Sequence, residues 1–371
     1  MHESRLALFL PSLEAGGVQR VMVNLVEGFR DYGIPADLVL SRASGPFLSQ
    51  LPADVRVIDL GARRVLSSLP ALVRYIRQEH PSALLAAQPH CNLVALWSKF
   101  LAPGPVRIFV SEHNTFSNDL LHARRRTDHF FPLLMRFFYP RATGIIAVSN
   151  GVADDIARVA HLERGRIKVI YNPIVFPRMF RLADLSLDDP WFEPGQPPVI
   201  LNVGRLSEQK DQGMLLLAFA ILRARRQVRL VILGEGAYRR PLLDRADQLG
   251  IREDVSLPGF KPNPFQYMSR SAVFALSSAW EGFGNVLVEA MACGTQVVST
   301  DCESGPAEIL AGGKFGRLVP PGNPVSLAVA IEAALENPIP RNVLRERAND
   351  FSIEAILPQY LELLLPEGYQ Q

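Results

Sequence analysis

Val273-Phe274-Ala275-Leu276-Ser277-Ser278-Ala279-Trp280-Glu281-Gly282-Phe283-Gly284-Asn285-Val286-Leu287-Val288-Glu289-Ala290-Met291-Ala292-Cys293-Gly294 passes from an apolar run through a glycine turn into helical spacing. Val273 to Ser277 reads as a buried strand. Val286, Leu287, Ala290 and Met291 then recur on one helical face until Gly294 stops the helix. Strand, loop, helix is the repeating unit of an α/β sheet. Glu281 falls in the loop at the strand's carboxyl end, and Glu289 about one turn inside the helix. Gly282 and Gly284 let the backbone approach a ligand, while amides near Asn285 and Val286 present the positive end of the helix dipole. An anion such as phosphate suits that place, between two carboxylates that accept hydroxyl protons. A surface helix with a solvated Glu at each end is the plainer reading, and the Gly-x-Gly turn after a strand weighs against it.

Outward from this stretch the same alternation runs through the chain twice. In the first half the strand candidates are Leu6 to Leu10, Ala36 to Leu40, Val55 to Leu60, Ala83 to Ala87, Val106 to Val110, Gly144 to Val148 and Lys168 to Tyr171. Between them, Val18 to Phe29 forms an amphipathic helix, and Ser149 is placed to cap another from about Val152 to Ala160. Proline-rich Pro177 to Pro198 reads as a linker. The pattern restarts at Val199 to Gly204 and continues through Val228 to Leu233, Val255 to Leu257, Val273 to Ser277, Gln296 to Ser299 and Arg317 to Val319. The expectation is two doubly wound, Rossmann-like α/β domains facing across a cleft, residues 1–177 and 178–352, with ligands at the strands' carboxyl ends.

Composition sets the bounds. A chain of 371 residues exceeds what one hydrophobic core usually holds, and 48% hydrophobic with 20% charged residues suits a globular enzyme and excludes wholesale disorder. No apolar run is long enough to span a membrane. Arg5 to Leu10 reads as a first strand rather than a signal peptide, and Cys91, Cys293 and Cys302 lie in no disulfide or zinc spacing, so a cytoplasmic location is expected. Through residue 180 there are 21 Lys/Arg against 14 Asp/Glu, and 18 against 23 thereafter. Much of the basic surplus lies in Leu120 to Arg141, where Arg124, Arg125, Arg126 and Arg136 alternate with aromatic and aliphatic residues. Such a segment can lie on an anionic membrane, giving peripheral contact at its inner face, or receive the phosphates of a lipid-linked molecule; a helix with a buried aromatic face is equally consistent. Nucleic acid is not expected at a net charge of +2 with no recognised motif.

Further constellations fall at strand ends. Gly16-Gly17 opens the first helix, where backbone amides can meet a phosphate or sugar oxygen. Arg205 and Lys210 flank the loop after the first strand of the second domain, and two cations there suit a diphosphate leaving group. His113, in Ser111-Glu112-His113-Asn114, follows another strand and can hydrogen-bond a hydroxyl or share charge. Gly259 and Phe260 form a turn whose backbone can read a nucleobase edge. Asp301 to Ile309 is expected to support the Glu281 loop. No Asp-x-Asp triplet marks a divalent metal site, so neither metal nor cofactor is expected, and no Gly-x-Gly-x-x-Gly follows either domain's first strand, which argues against a nicotinamide dehydrogenase.

Taken together, Gly16-Gly17, Ser111 to Asn114, Gly204-Arg205 with Lys210, and Glu281 to Glu289 continuing into Ala290 to Gly294 resemble the GT-B-fold retaining glycosyltransferases of family 4 over essentially the whole chain. The resemblance implies that Arg205 and Lys210 hold a diphosphate, Glu281 with the Phe283 and Gly284 backbone the donor sugar, and Glu289 the ribose. Amides of Asn285 and Val286 would meet the β-phosphate, and His113 a sugar hydroxyl. It further implies metal-independent transfer with retention of configuration, and a C-terminal helix, within residues 353–371, returning to the first domain. The run from Glu281 to Leu287 with Ser299 to Pro306 looks most like members that move a hexose or N-acetylhexosamine from a UDP-sugar to a glycan or polyprenyl-linked acceptor in surface polysaccharide synthesis. A GDP-mannose-dependent enzyme, a UDP-sugar epimerase and a non-catalytic sugar-nucleotide binder are the alternatives.

Overall fold

The computed structural model describes residues 5–14, 16–122 and 129–365. The chain forms two compact units, one built by the chain up to Pro173 together with the segment from Ile353 onward, the other by Ile174–Ser352.

The first unit holds seven parallel strands: β1 (Leu6–Leu10), β2 (Ala36–Leu40), β3 (Arg56–Asp59), β4 (Ala83–Ala87), β5 (Arg107–Glu112), β6 (Gly144–Ala147) and β7 (Ile167–Val169). They lie in the order β3-β2-β1-β4-β5-β6-β7. Every residue of β1 and β4 is buried, which explains their unbroken apolar runs: helices cover both faces of a parallel sheet. The first helix, Gly17–Asp31, buries Val21, Met22, Leu25, Val26 and Phe29. Ser149 caps the helix Asn150–Ala160, its Oγ accepting from the Val152 amide at 3.2 Å. The helix Ile353–Leu364 packs on Gly17–Asp31 so closely that a Cβ added at Gly28 would stand 2.9 Å from Ile353. The Arg107 guanidinium fastens the helix end by donating to the Leu364 carbonyl.

The second unit has six parallel strands: β8 (Val199–Val203), β9 (Arg229–Leu233), β10 (Val255–Gly259), β11 (Val273–Leu276), β12 (Gln296–Thr300) and β13 (Arg317–Val319), in the order β10-β9-β8-β11-β12-β13. The order reverses between β8 and β11, so the crossovers leaving these two neighbours run to opposite sides, which makes their carboxyl ends the switch point of the sheet. Of the stretch Pro177 to Pro198, which the sequence suggests as a linker, the first part is the helix Pro177–Asp184, with Met179 and Ala183 turned inward at helical spacing and Pro177 tolerated at its first position, while the rest is irregular apart from the turn Pro190–Phe192. This stretch is tied to its own unit: the carbonyls of Leu182 and Ala183 accept from the Asn263 side chain at 2.8 Å and from Ser269 Oγ at 3.0 Å. The entering and leaving chains run side by side, the Ile174 amide donating to the Phe351 carbonyl at 2.8 Å.

Candidate functional site

Because β8 and β11 are neighbours, the loop after β8 delivers Lys210 to the loop after β11, which carries Glu281. Lys210 Nζ lies 2.5 Å from Glu281 Oε1, and both side chains are largely buried. The same carboxylate oxygen accepts from Ser278 Oγ at 2.6 Å. Backbone ties hold the two loops in register. The Ala279 amide donates to the Gln209 carbonyl at 2.8 Å, Ser277 Oγ donates to the Lys210 carbonyl at 2.8 Å, and Gln209 Nε2 reaches the Trp280 carbonyl at 3.1 Å.

The turn after β12 supports this arrangement from behind, as the sequence suggests for Asp301 to Ile309. Thr300 Oγ1 donates to the Ser278 carbonyl at 2.6 Å and Ser304 Oγ to the Glu281 carbonyl at 2.7 Å. Gly305, at φ 92°, lies so close to the Phe283 backbone that a Cβ there would meet its carbonyl oxygen at 2.0 Å. The Glu281 loop therefore rests on backbone, with no room to sag.

Of the two turn glycines, Gly284 alone takes a left-handed conformation, at φ 98°, and it starts the helix Asn285–Ala292 without a side-chain cap. Val286 and Glu289 are half-buried on this helix, whose Leu287, Val288, Ala290 and Met291 face the core. Arg205 is exposed in the loop after β8, and among the described residues no hydrogen bond or ion pair reaches its guanidinium. Its carbonyl is held by Gln212 Nε2 at 3.0 Å. At the end of β10, Gly259 adopts φ 86° and Phe260 is exposed, with the Gly234 amide donating to the Gly259 carbonyl at 2.9 Å. The second unit thus gathers Arg205, Lys210, Gly259, Phe260 and Glu281 to Glu289 at the carboxyl ends of one sheet.

The remaining sequence candidates belong to the first unit or lie outside the described residues. Gly16 precedes the first helix with an extended backbone, at φ −172°, that any residue adopts, so no left-handed turn underlies the glycine pair. His113 directly follows β5, and its Nε2 lies 2.9 Å from Ser111 Oγ. Burial lowers its imidazole to about 4, which favours a neutral, hydrogen-bonding ring near pH 7. Arg124, Arg125 and Arg126 lie outside the described residues.

One group escapes the sequence reading. Glu112 is fully buried, accepting from Asn92 Nδ2 at 2.9 Å and from the Tyr139 hydroxyl. Burial raises its carboxyl to about 7, against the opposing pull of the Tyr139 and Asn92 hydrogen bonds. The available signal was a carboxylate two residues after the apolar run Ile108 to Val110.

Within the described residues no group of three or more His, Cys, Asp or Glu is placed to hold a metal ion, and no helix is long and apolar enough to cross a membrane.

A doubly wound unit with a lysine-carboxylate pair at its switch point and a helix starting alongside has the layout in which open α/β sheets bind ligands at the strands' carboxyl ends. Residues 186–351 match the family described as Glycosyl transferases group 1, and residues 15–176 match Glycosyltransferase Family 4. The chain belongs to the GT-B-fold glycosyltransferases of the family-4 type. One relative, from Campylobacter jejuni, is the N-acetylgalactosamine-N,N'-diacetylbacillosaminyl-diphospho-undecaprenol 4-alpha-N-acetylgalactosaminyltransferase, 34% identical over 58% of this chain but only 57% of its own length. The lipopolysaccharide core biosynthesis glycosyltransferase LpsE of Rhizobium meliloti is 28% identical over 94% of this chain and 96% of its own. Among solved structures, Anabaena Alr3699/HepE in complex with UDP-glucose superposes with a TM-score of 0.77 at 21% identity, over 97% of this chain and 99% of that one.

Proposed function

We propose that this protein is a retaining glycosyltransferase that moves a hexose or N-acetylhexosamine from a UDP-sugar to a glycan or polyprenyl-linked acceptor in surface polysaccharide synthesis. The observation that carries the reading is the Lys210–Glu281 pair at the switch point of the second unit, flanked by Arg205 and the start of the helix Asn285–Ala292. In this reading the diphosphate draws the Lys210 ammonium to itself. Glu281, released from its cation, accepts hydrogen bonds from sugar hydroxyls. Arg205 and the helix start share the remaining phosphate charge, and Glu289 accepts from the ribose. Gly259 and Phe260 border the base.

The reaction breaks the bond from the anomeric carbon to the β-phosphate oxygen and forms one to the acceptor oxygen on the same face. The acceptor's proton passes to the departing phosphate oxygen. Lys210 and Arg205 stabilise the negative charge that grows on the diphosphate, and in this account they do so without a metal ion. Support for UDP comes from the Anabaena structure, which holds UDP-glucose, and support for a lipid diphosphate acceptor from the Campylobacter relative's name.

The test is to incubate the protein with UDP-hexoses and UDP-N-acetylhexosamines, with and without a polyprenyl diphosphate-linked sugar. Acceptor-dependent release of UDP and an α-configured product from an α-configured donor are expected. A donor that changes configuration without acceptor would identify an epimerase instead, and turnover of GDP-mannose alone would reassign the nucleotide.

A further inference from the structure

Between β9 and the helix Arg239–Gln248 the chain reads Gly234-Glu235-Gly236, and neighbouring backbone demands both glycines. A Cβ added at Gly234 would stand 1.9 Å from the Gly204 carbonyl oxygen, and one at Gly236 2.2 Å from that of Leu206. The turn is pinned from both sides: the Leu206 amide donates to the Glu235 carbonyl at 2.9 Å, and the Gly234 amide to the Gly259 carbonyl at 2.9 Å. Glu235 is thus the one side chain of a clamped turn, set between the loop after β8, which carries Arg205, and the end of β10, which carries Gly259 and Phe260. Its carboxylate stands directly over that strand end, since a Cβ at Gly259 would meet Glu235 Oε1 at 2.5 Å. Arg239 steers it there. Arg239 Nη2 is anchored on β10, donating to the Leu257 carbonyl at 2.7 Å, and Nη1 lies 3.7 Å from Glu235 Oε1. Nη1 is buried and makes no hydrogen bond among the described residues, so it acts on the carboxylate through charge alone. The Glu235 side chain stays 58% exposed, and its oxygens keep their capacity to accept.

We propose that Glu235 selects the nucleobase of the donor by accepting a hydrogen bond from the ring N–H of uracil, with Arg239 as its positioning residue. The inference rests on the reading of the second unit as the UDP-sugar site, with the base beside Gly259 and Phe260. An ionised carboxylate only accepts. Uracil offers it N3–H between two carbonyls, and the charge on the acceptor strengthens that bond. Cytosine presents a bare lone pair at the same ring position, which a carboxylate repels, and a site built to pair with an N–H rejects the analogue that lacks it. Guanine also carries a ring N–H, so the ligands that isolate Glu235 are UDP and CDP, which differ only on this edge. An ordinary surface ion pair would account for Arg239 and Glu235, but it requires neither the two flanking glycines nor the seat over Gly259.

The test titrates UDP and CDP calorimetrically into the full chain, as the parent, Glu235→Gln, Glu235→Ala and Arg239→Gln. The parent should bind UDP at least about tenfold more tightly than CDP. Glu235→Ala should weaken UDP at least about tenfold and leave CDP no weaker than in the parent. Glu235→Gln should bring the two nucleotides close together, because its amide accepts from the uracil N3–H or donates to the cytosine N3. Arg239→Gln should reduce the ratio of UDP to CDP affinity in the same direction, a readout that a purely structural arginine would leave unchanged. The exposed position of Glu235 keeps folding out of the measurement. If the parent binds UDP but the ratio is unaltered in Glu235→Gln, or if Glu235→Ala weakens both nucleotides equally as loss of a ribose contact would, the proposal falls while the donor reading stands. If the parent binds neither nucleotide, the proposal falls together with that reading.

Discussion

Replacing Lys210 by methionine keeps most of the stem and removes the ammonium, leaving the Glu281 carboxylate buried with Ser278 Oγ as its remaining side-chain donor. Removing one partner of a buried ion pair costs about 3–5 kcal/mol, and the Ser278 hydrogen bond places this case near the lower figure. About 3 kcal/mol corresponds to a fall in melting temperature of roughly 6–12 °C for a cooperative unit of 150–250 residues. The loss should be conditional on the charge of Glu281. Adding Glu281→Gln removes the stranded carboxylate, so the double variant should melt above the Lys210 single variant, a coupling visible in a double-mutant cycle. UDP affinity should not recover with stability: losing a charge-assisted hydrogen bond to phosphate weakens binding by about 10- to 150-fold in both variants. Differential scanning fluorimetry and UDP titration read the two effects separately. An unchanged melting temperature in Lys210→Met, or a double variant whose losses simply add, would refute the ion-pair reasoning.

Gly305→Ala should lower the melting temperature and weaken UDP binding together, since the new Cβ collides with the Phe283 carbonyl from a left-handed backbone; unaltered UDP binding would show that the Glu281 loop tolerates displacement. Glu289→Ala should weaken UDP by about 10- to 150-fold yet leave 2′,3′-dideoxy-UDP nearly unaffected, which separates a ribose contact from general damage to the helix. Glu112 provides a pH signature. Its folded value, about 7, exceeds the ordinary carboxylate value of 4.5, so its contribution to stability is complete below about pH 4.5 and is lost as pH rises through 7. Thermal melts from pH 5 to 8 should show that loss in the parent and not in Glu112→Gln; parallel profiles would count against the buried carboxyl.

How much of this was legible in the sequence depended on whether the signal was local. β1 and β4 fall on the residues their apolar runs mark, because strands buried on both faces leave short continuous runs, and β2 falls on its expected residues despite the buried Asp37. Proline misled at Pro177 to Pro198, where it starts a helix rather than breaking one, and the inward Met179 and Ala183 were too sparse a pattern to offset it. The stretch Leu120 to Arg141 reads as a basic helix with an aromatic face; residues 123–128 lie outside the described ones, and beyond them the helix Phe131–Phe138 leaves Leu133 and Phe137 exposed. Lys210 and Glu281 were each picked out, but their contact spans 71 residues and follows only from β8 lying beside β11. Nothing local to either residue encodes that adjacency. The buried Glu112 network likewise needs Asn92 and Tyr139, delivered by separate elements.

The central claim, that the Glu281 loop and its lysine hold a uridine diphosphate sugar, is tested most directly by thermal stabilisation with UDP, GDP and ADP in parallel. A ligand that binds only the folded state at about one hundred times its dissociation constant contributes roughly 2.7 kcal/mol. UDP should therefore raise the melting temperature by several degrees in the parent and much less in Lys210→Met at the same concentration, with GDP and ADP having little effect on either. Stabilisation by GDP or ADP in preference to UDP, or by UDP equally in both proteins, would contradict the account.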